Sequence, residues 1–195
     1  MGGDDRARAG SAVSVSGRIL PYRGIWPKLA DDVFIAPGAV VVGDVEIGAG
    51  SSVWYNAVVR GDVGSIRIGA GANIQDGTVV HVTGGAFDTA IGDEVLVGHR
   101  CMIHGCRLED RAFIGMSATV LDGCVVEGDA MLAAGSLLAP GKRIPAGELW
   151  AGSPAKKMRD LAPEALEGFR RQVAHYARNA QVHRESLKDL GRTGL

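Results

Sequence analysis

The chain has 195 residues, a net charge of −1 and 29 glycines, while Phe, Trp and Tyr together number only ten. The length fits one domain with or without an appendage, and the balanced charge gives no reason to expect nucleic acid or an anionic membrane as a partner. Glycine is about twice as frequent as the usual ~7%, yet 46% of the residues are hydrophobic, which excludes a disordered Gly-rich chain. We therefore expect many tight corners between short apolar segments, around a core too narrow for large rings.

The cysteines and the N-terminal segment bear on the compartment of the protein. Cys101, Cys106 and Cys124 are an odd number and form no Cys-x-x-Cys pair, which favours free thiols in a reducing cytoplasm over a disulfide framework. The polar segment 1–16 lacks the apolar stretch of a secretion signal, and no apolar run approaches the ~20 residues that span a bilayer. We expect segment 1–16 to be flexible and the protein to be cytoplasmic.

Aliphatic residues recur at every sixth position over most of the chain. The longest register runs through Ile114, Val120, Val126, Leu132, Leu138, Ile144 and Trp150, and others start at Ile35, Ile68 and Ile91. A period of six fits neither an α-helix nor an alternating strand. It is typical of a β-helix in which three hexapeptides, about 18 residues, form one triangular coil with the repeated aliphatic inside. The predicted fold is mainly β, a parallel β-helix over residues 17–155, and solenoids of this class resemble one another in being left-handed.

Two departures from the six-residue pattern predict other structure. The register is interrupted at residues 60–67, 83–90 and 108–113, and residues 83–90 have the composition of a loop pushed out of a corner. In segment 156–195, apolar residues alternate at intervals of three and four: Leu166, Phe169, Val173, Tyr176, Ala180, His183, Leu187 and Leu190. This stripe predicts an amphipathic helix that packs on the prism or on a neighbouring subunit. On it His183 should be packed and hydrogen-bonded, whereas His175 lies off the stripe in solvent.

The other three histidines, His81, His99 and His104, lie inside the predicted coils. Because 99 − 81 = 18 is about one coil, His81 and His99 are expected on the same side of neighbouring coils. His81 and His104 directly follow an inward aliphatic whereas His99 comes one position later, and successive strand residues point to opposite faces. One chain would then supply two ligands and a neighbour the third. Three imidazoles with one open position are the ligand set of a catalytic zinc site; the alternative is three unrelated surface histidines.

The sequence around these histidines forms a specific pattern. It consists of Arg60-Gly61-Asp62, Asn73-Ile74-Gln75-Asp76-Gly77, the three histidines and Gly152-Ser153-Pro154-Ala155-Lys156. Over residues 17–162 the chain thereby resembles the gamma-class carbonic anhydrase family. The resemblance implies a left-handed β-helix homotrimer that interconverts CO₂ and bicarbonate. It also implies a metal between subunits, held by His81 and His104 of one and His99 of the next. The expected metal is Zn²⁺, although an all-imidazole site also suits Fe²⁺ or Co²⁺.

The resemblance also implies roles for polar residues near the metal. Gln75 would orient the solvent at the metal, and Asn73 would support Gln75. Arg60 would hold bicarbonate by charge-assisted hydrogen bonds, and Asp62 and Asp76 resemble carboxylates that pair with such an arginine across the interface. The alternative for Arg60, Asp62 and Asp76 is a role in trimer assembly only.

The chain departs from the family pattern at two places that concern proton transfer. Val63 stands where the best-characterised branch has a glutamate, and loop 83–90 is short, with Asp88 as its one acidic residue. The chain therefore resembles a shorter branch without the acidic proton-shuttle loop, in which some members hydrate CO₂ poorly or are linked to acyl-CoA metabolism. Two alternatives to CO₂ hydration stay open: a metal-dependent acyl-CoA thioesterase or other acyl enzyme, and a non-catalytic metal-binding trimer.

Overall fold

The computed structural model describes residues 16–190, with side chains through residue 188. The segment 1–16, expected to be flexible, lies outside this range except for Ser16. The described chain folds into a parallel β-solenoid of about seven turns followed by a single helix, a left-handed β-helix of hexapeptide repeats, as predicted. No helix within residues 16–190 is both long enough and apolar enough to cross a membrane.

Most strands are only two or three residues long, as a hexapeptide repeat requires. In chain order the elements are β1 (Arg18–Leu20), β2 (Lys28–Leu29), β3 (Phe34–Ile35), β4 (Val40–Ile47), β5 (Ser52–Val53), β6 (Val58–Ile68), β7 (Asn73–Ile74), β8 (Val79–His81), β9 (Thr89–Ile91), β10 (Leu96–Val97), β11 (Met102–His104), β12 (Arg107–Leu108), β13 (Phe113–Ile114), β14 (Thr119–Val120), β15 (Val125–Val126), β16 (Met131–Leu132), β17 (Leu137–Leu138), β18 (Arg143–Ile144), β19 (Glu148–Gly152), β20 (Ala155–Asp160) and α1 (Pro163–Leu190).

The strands stack in parallel on three faces of a prism. The first face carries β1, β8, β11, β14 and β17, and the second carries β2, β9, β12, β15 and β18. The long strands β4 and β6 cross from the first face to the second, since β4 pairs with β1 at its start and with β2 at its end. The third face carries β3, β5, β7, β10, β13, β16 and β19, with β20 antiparallel at its edge.

The repeated aliphatic residues fill the prism. Those of the predicted registers are buried, apart from Ile35 and Trp150 near the two ends, which are partly buried. The larger rings lie outside the prism: Phe34 and Trp54 form a second cluster with Ala180, Tyr176 and Leu187 of α1. The low aromatic content of the chain thus follows from a core that is filled by Val, Ile and Leu.

Helix α1 packs against the third face with the predicted stripe. It begins at Pro163, where a fixed φ and a missing N–H suit the first helical position. His183 is partly buried against Trp54 and shares a hydrogen bond with the Tyr55 hydroxyl, whereas His175 is exposed. The start of the segment expected to be helical, residues 156–160, instead belongs to strand β20 (Ala155–Asp160). Gly152, with φ of 102°, lets the chain reverse and pair β20 with β19 before the helix starts.

Loop 83–90 leaves the prism at one corner, as its composition predicts. Thr83 and Phe87 close it with an antiparallel bridge. In a regular coil the register partners lie 18 positions apart, as Lys28 and Glu46 do. Across the loop the spacing is 23 positions, between His81 and its register partner His104. The extra length determines which side chains stack near the predicted site.

The close approach of neighbouring coils at Gly48 allows the stacking of the coils to be tested by substitution. A Cβ on Gly48 would lie 2.7 Å from the backbone N of Ala70 and 2.7 Å from the carbonyl carbon of Gly69. We expect Gly48→Ala to lower the free energy of unfolding by about 1–3 kcal/mol, because backbone atoms of the next coil must move.

Gly168→Ala in α1 is the matched control, since its Cβ would meet nothing nearer than 3.8 Å. It should raise stability by about 0.5–1 kcal/mol through helix propensity. Urea unfolding at equal protein concentration measures both, and equal stability of the two variants would contradict this stacking.

Candidate metal site

Two of the predicted ligands meet on the first face. His81 at the end of β8 and His104 at the end of β11 are register partners, and their ring centroids lie 5.0 Å apart. Their side chains are 17% and 26% exposed, so both remain accessible from outside the prism. The expectation that His81 and His99 lie on the same side of neighbouring coils is wrong, because loop 83–90 lengthens this coil and His99 follows β10 on the third face. The partner of His81 on the next coil is therefore His104, 23 positions further along the chain.

Carboxylates fix the protonation of both rings. Asp62 accepts a hydrogen bond from His81 Nε2 at 2.9 Å, and Asp122 accepts one from His104 Nδ1 at 2.6 Å. A carboxylate is an acceptor only, so these nitrogens carry the ring protons. In the neutral imidazoles the lone pairs then lie on His81 Nδ1 and His104 Nε2.

These two lone-pair nitrogens face each other at 3.0 Å. Two acceptors at this distance repel unless a proton or a metal cation lies between them. Two nitrogens bound to one tetrahedral zinc ion at 2.0–2.1 Å would be about 3.3 Å apart. The spacing and donor chemistry of the pair therefore fit a metal ion with little rearrangement.

The two carboxylates are held ionised. Burial opposes ionisation of Asp62, but hydrogen bonds from His81 and Arg60 outweigh it and hold the pKa of this carboxyl below its usual value. The hydrogen bond from His104 lowers the pKa of Asp122, and the Thr83 hydroxyl donates to the same carboxyl at 2.7 Å. Carboxylates that hold the far nitrogen of a ligating histidine are typical of metal sites, where they orient the ring and raise its basicity.

His99 lies away from this pair, because it follows β10 on the third face. Asp76 is one coil below it, and its carboxylate oxygen lies 2.8 Å from His99 Nδ1. The hydroxyl of Tyr176 in α1 lies 3.4 Å from His99 Nε2. Within the described residues, no three His, Cys, Asp or Glu side chains of one chain group to hold a metal. His81 and His104 thus form one half of a candidate site, and His99 presents a third imidazole elsewhere on the surface.

The comparisons with known proteins agree with the hexapeptide fold. Residues 27–61 match the bacterial transferase hexapeptide family (six repeats). A probable carbonic anhydrase from Methanocaldococcus jannaschii is 45% identical over 154 residues, which cover 79% of this chain and 96% of that protein. The chain belongs to the gamma carbonic anhydrase family. Gamma carbonic anhydrase 2, a mitochondrial protein of Arabidopsis thaliana, is 53% identical over 162 residues, 80% of this chain.

The chain spans about three fifths of that Arabidopsis relative, since the match covers 58% of its length. Among solved structures, a hexapeptide transferase family protein from Anaplasma phagocytophilum superposes with a TM-score of 0.81 at 44% identity. That alignment covers 84% of this chain and 96% of the other. Most of the chain is therefore similar to a gamma carbonic anhydrase in sequence and to a protein named as a hexapeptide transferase family member in fold.

Gln75 and Asn73, which the family resemblance singles out, lie side by side on the third face. The amide of Gln75 donates to Asn73 Oδ1 at 3.0 Å, so Asn73 supports Gln75 as expected. Both side chains are buried. Among the described residues, Asn73 Nδ2 is the buried side-chain donor with no partner inside the chain. A buried amide N–H without an acceptor carries a cost of about 1–3 kcal/mol.

Arg60 and Asp76 do not meet within one chain. The guanidinium of Arg60 donates to Asp62, which also holds His81. Asp76 is engaged by His99 instead. Any pairing of Arg60 with Asp76 therefore requires a second subunit.

The residues at the two departures from the family pattern are not placed as proton shuttles. Val63 is 51% exposed, an apolar side chain in the neighbourhood of loop 83–90. Asp88 accepts a hydrogen bond from the backbone N–H of Ser65 at 2.7 Å. The loop's carboxylate therefore ties the loop to strand β6.

The three cysteines are free and buried in the prism. Burial raises the pKa of Cys101 to about 11 and raises the pKa of Cys106 further. Cys106, two residues after His104, points into the core with the other two thiols and not toward the imidazole pair. All three are packing residues.

Two residues that contact the histidines, Asp122 and Tyr176, are missing from the sequence-based expectations, and Asp62 and Asp76 are named there only as partners of an arginine. Asp122 is accessible to sequence reasoning, because 122 − 104 = 18 places it one coil above His104. Tyr176 is predicted only as part of the packing stripe, and no local spacing connects it to His99, 77 positions earlier in the chain.

We expect Asp122→Asn to weaken metal binding by about 10- to 100-fold, as loss of a carboxylate behind a ligating imidazole does elsewhere. The amide can donate as well as accept, so it no longer fixes the proton on His104 Nδ1. Competition with a chromophoric chelator measures the Zn²⁺ affinity.

Asp129→Asn is the matched control, because Asp129 pairs with Arg111 and touches none of the three histidines. Its Zn²⁺ affinity should equal that of the wild type. Equal affinity in Asp122→Asn as well would contradict a metal at His104.

Proposed function

We propose that the chain forms a metal-dependent enzyme for the reversible hydration of CO₂ to bicarbonate. The observation that carries the proposal is the pair of lone-pair nitrogens, His81 Nδ1 and His104 Nε2, facing each other at 3.0 Å with a carboxylate behind each ring. Family membership supports the same reaction through the relatives named as carbonic anhydrases.

The third ligand in this proposal is His99 of a neighbouring subunit. His99 is half exposed, carries its own carboxylate on Nδ1, and cannot join the pair of its own chain. A contact in which one surface of a subunit meets a different surface of the next is heterologous, and it closes into a ring when the rotation permits. The homotrimer expected for the family is such a ring, with three equivalent sites.

Zinc is the proposed metal, since three neutral imidazoles with an open position suit catalytic zinc, although Fe²⁺ and Co²⁺ accept the same donors. When bound, such an ion lowers the pKa of a coordinated water to about 7, which makes hydroxide available at neutral pH. The residues of the chain hold this ion, orient the reactants and bind the product.

Two groups near the histidines are suited to orienting the reactants. Gln75 has its amide N–H engaged by Asn73, which leaves its carbonyl oxygen to accept a hydrogen bond from a reacting solvent molecule. Arg60 is 44% exposed beside Asp62, so its guanidinium retains free N–H donors for the bicarbonate product. In the proposed trimer, Arg60 and Asp76 of neighbouring subunits would pair and fix the approach of the two half-sites.

We propose a reducing compartment, the cytoplasm, for this protein. The three described thiols are free and buried, and none pairs with another. This agrees with the expectation from their odd number.

Complementation between inactive variants tests the shared site directly. His81→Ala and His99→Ala homotrimers should each lack CO₂ hydration. After the two are unfolded and refolded together, a site is intact when its His81 and His104 come from the His99→Ala chain and its His99 from the other. Random assembly of a cyclic trimer should therefore restore about one quarter of the wild-type rate.

The matched control mixes His81→Ala with His104→Ala. These ligands belong to the same half-site, so no mixed trimer regains an intact set and no rate should return. Stopped-flow hydration with a pH indicator measures all mixtures, with Zn²⁺ content determined on each. Recovery in the control, or none in the test mixture, would contradict a site divided in this way. Metal-loaded wild-type trimer without hydration would indicate a non-catalytic metal-binding protein.

A second candidate function is hydrolysis or transfer of acyl thioesters. It is favoured by the His99–Asp76 pair, a half-exposed imidazole on a carboxylate that suits a general base. The solved relative from Anaplasma phagocytophilum is likewise named a hexapeptide transferase family protein.

Thiol release from a panel of acyl-CoA substrates distinguishes the two reactions. If CO₂ hydration is the function, the panel should give no release above buffer. If His99 is instead a general base, release should occur without metal and disappear in His99→Ala while persisting in His81→Ala.

A further inference from the structure

Helix α1 reaches one of the proposed ligands through a single side chain. The hydroxyl of Tyr176 lies 3.4 Å from His99 Nε2. The Tyr176 ring stands edge-on to Trp54, with centroids 5.4 Å apart and planes at 84°. Trp54 is buried on the third face and donates its indole N–H to Ser52 at 3.0 Å. The packing against Trp54 therefore fixes the position from which the Tyr176 hydroxyl contacts His99.

The Tyr176 hydroxyl contacts His99 Nε2, the nitrogen through which His99 would bind a metal. The Asp76 carboxylate, which can only accept, lies 2.8 Å from His99 Nδ1 and so favours the proton on that nitrogen and the lone pair of the neutral ring on Nε2. The Tyr176 hydroxyl is then the donor to Nε2. Both nitrogens of His99 are thus engaged within one subunit, one by Asp76 and the other by Tyr176.

We propose that Tyr176 is a positioning residue that occupies His99 Nε2 before metal is loaded and is displaced when the metal binds. This inference rests on the proposed function, since it assumes that His99 is the third ligand. In the metal-free subunit the hydroxyl holds the half-exposed imidazole in its outward orientation. When the hydroxyl is displaced, the lone pair on His99 Nε2 becomes available to the metal.

The length of the contact suits a displaceable partner. A good hydrogen bond from a hydroxyl is about 2.7–2.8 Å long, and 3.4 Å is at the limit of such a bond. Asp76, at 2.8 Å on the other nitrogen, provides the strong and lasting contact. Displacing Tyr176 therefore costs little, whereas the orientation of the ring is retained through Asp76.

Thermodynamic linkage makes the coupling reciprocal. If metal binding displaces the hydroxyl, then removing the hydroxyl must strengthen metal binding by the same free energy. This direction separates the proposal from a merely structural role, because a variant that disturbs the packing of α1 would weaken metal binding or leave it unchanged.

The test is Tyr176→Phe, which keeps the ring against Trp54 and removes only the hydroxyl. Zn²⁺ affinity of the metal-stripped full-length protein, measured against a chromophoric chelator, should become about two- to fivefold tighter, as expected for loss of one weak competing hydrogen bond. Nitrogen NMR of the metal-free protein should show the His99 Nε2 signal moving toward that of an acceptor without a donor.

Tyr55→Phe is the matched control. Tyr55 belongs to the same group of aromatic residues, but its hydroxyl bonds to His183 at 2.8 Å. Its Zn²⁺ affinity and His99 signal should equal those of the wild type. Unchanged or weaker Zn²⁺ binding in Tyr176→Phe, or an unmoved Nε2 signal, would overturn the inference. Failure of the proposed function looks different, because the wild type would then either bind no Zn²⁺ at the histidines or bind it without hydrating CO₂.

Discussion

The parallel register between coils is the constraint on which the rest of the structure depends. Each inward aliphatic must lie on the aliphatic of the coil below, because only continuous stacking keeps the narrow interior dry and filled. Once Val80 lies on Val59 and Ile103 lies on Val80, the outward neighbours are stacked as well. The register of the core therefore decides which polar side chains meet on the surface, without any interaction among those side chains being needed to choose it.

Loop 83–90 shows how a change in one corner alters that choice. It lengthens the spacing between register partners from 18 to 23 positions, and the inward residues on both sides still match, as at Val80 and Ile103. Its effect is to bring His104 above His81, and His99 above Asp76. The same register explains the carboxylates, since each imidazole of the pair receives one from an adjacent coil: Asp62 from below His81, and Asp122 from above His104.

The sequence is sufficient to predict the residues that the six-residue repeat buries. It is insufficient for contacts that depend on the exact length of a coil or on where α1 packs. The six-residue register identifies the buried residues. The side of the prism on which His99 lies is predicted wrongly, because the prediction assumes a regular coil where loop 83–90 makes the coil longer. His99 is separated from His81 and His104 by lying after a strand of another face, and not by its offset within a shared face. Asp122 is not among the predicted site residues, although it follows His104 by about one coil. Tyr176 cannot be found from the sequence, because its contact depends on where α1 docks on the third face and not on any local pattern.

The prism also explains why chemistry in this fold depends on more than one surface. Its interior is filled by aliphatic side chains and has no space for a polar ligand set, so histidines and carboxylates must point outward. An outward imidazole in water cannot by itself form an enclosed site, where electrostatic interactions are stronger. A second surface has to cover it. In the proposed trimer that surface belongs to the neighbouring subunit. Its His99 is oriented by Asp76 and contacted by Tyr176 of α1 within its own chain. The helix that covers the aromatic residues of the third face would then also prepare one imidazole for the site of another chain.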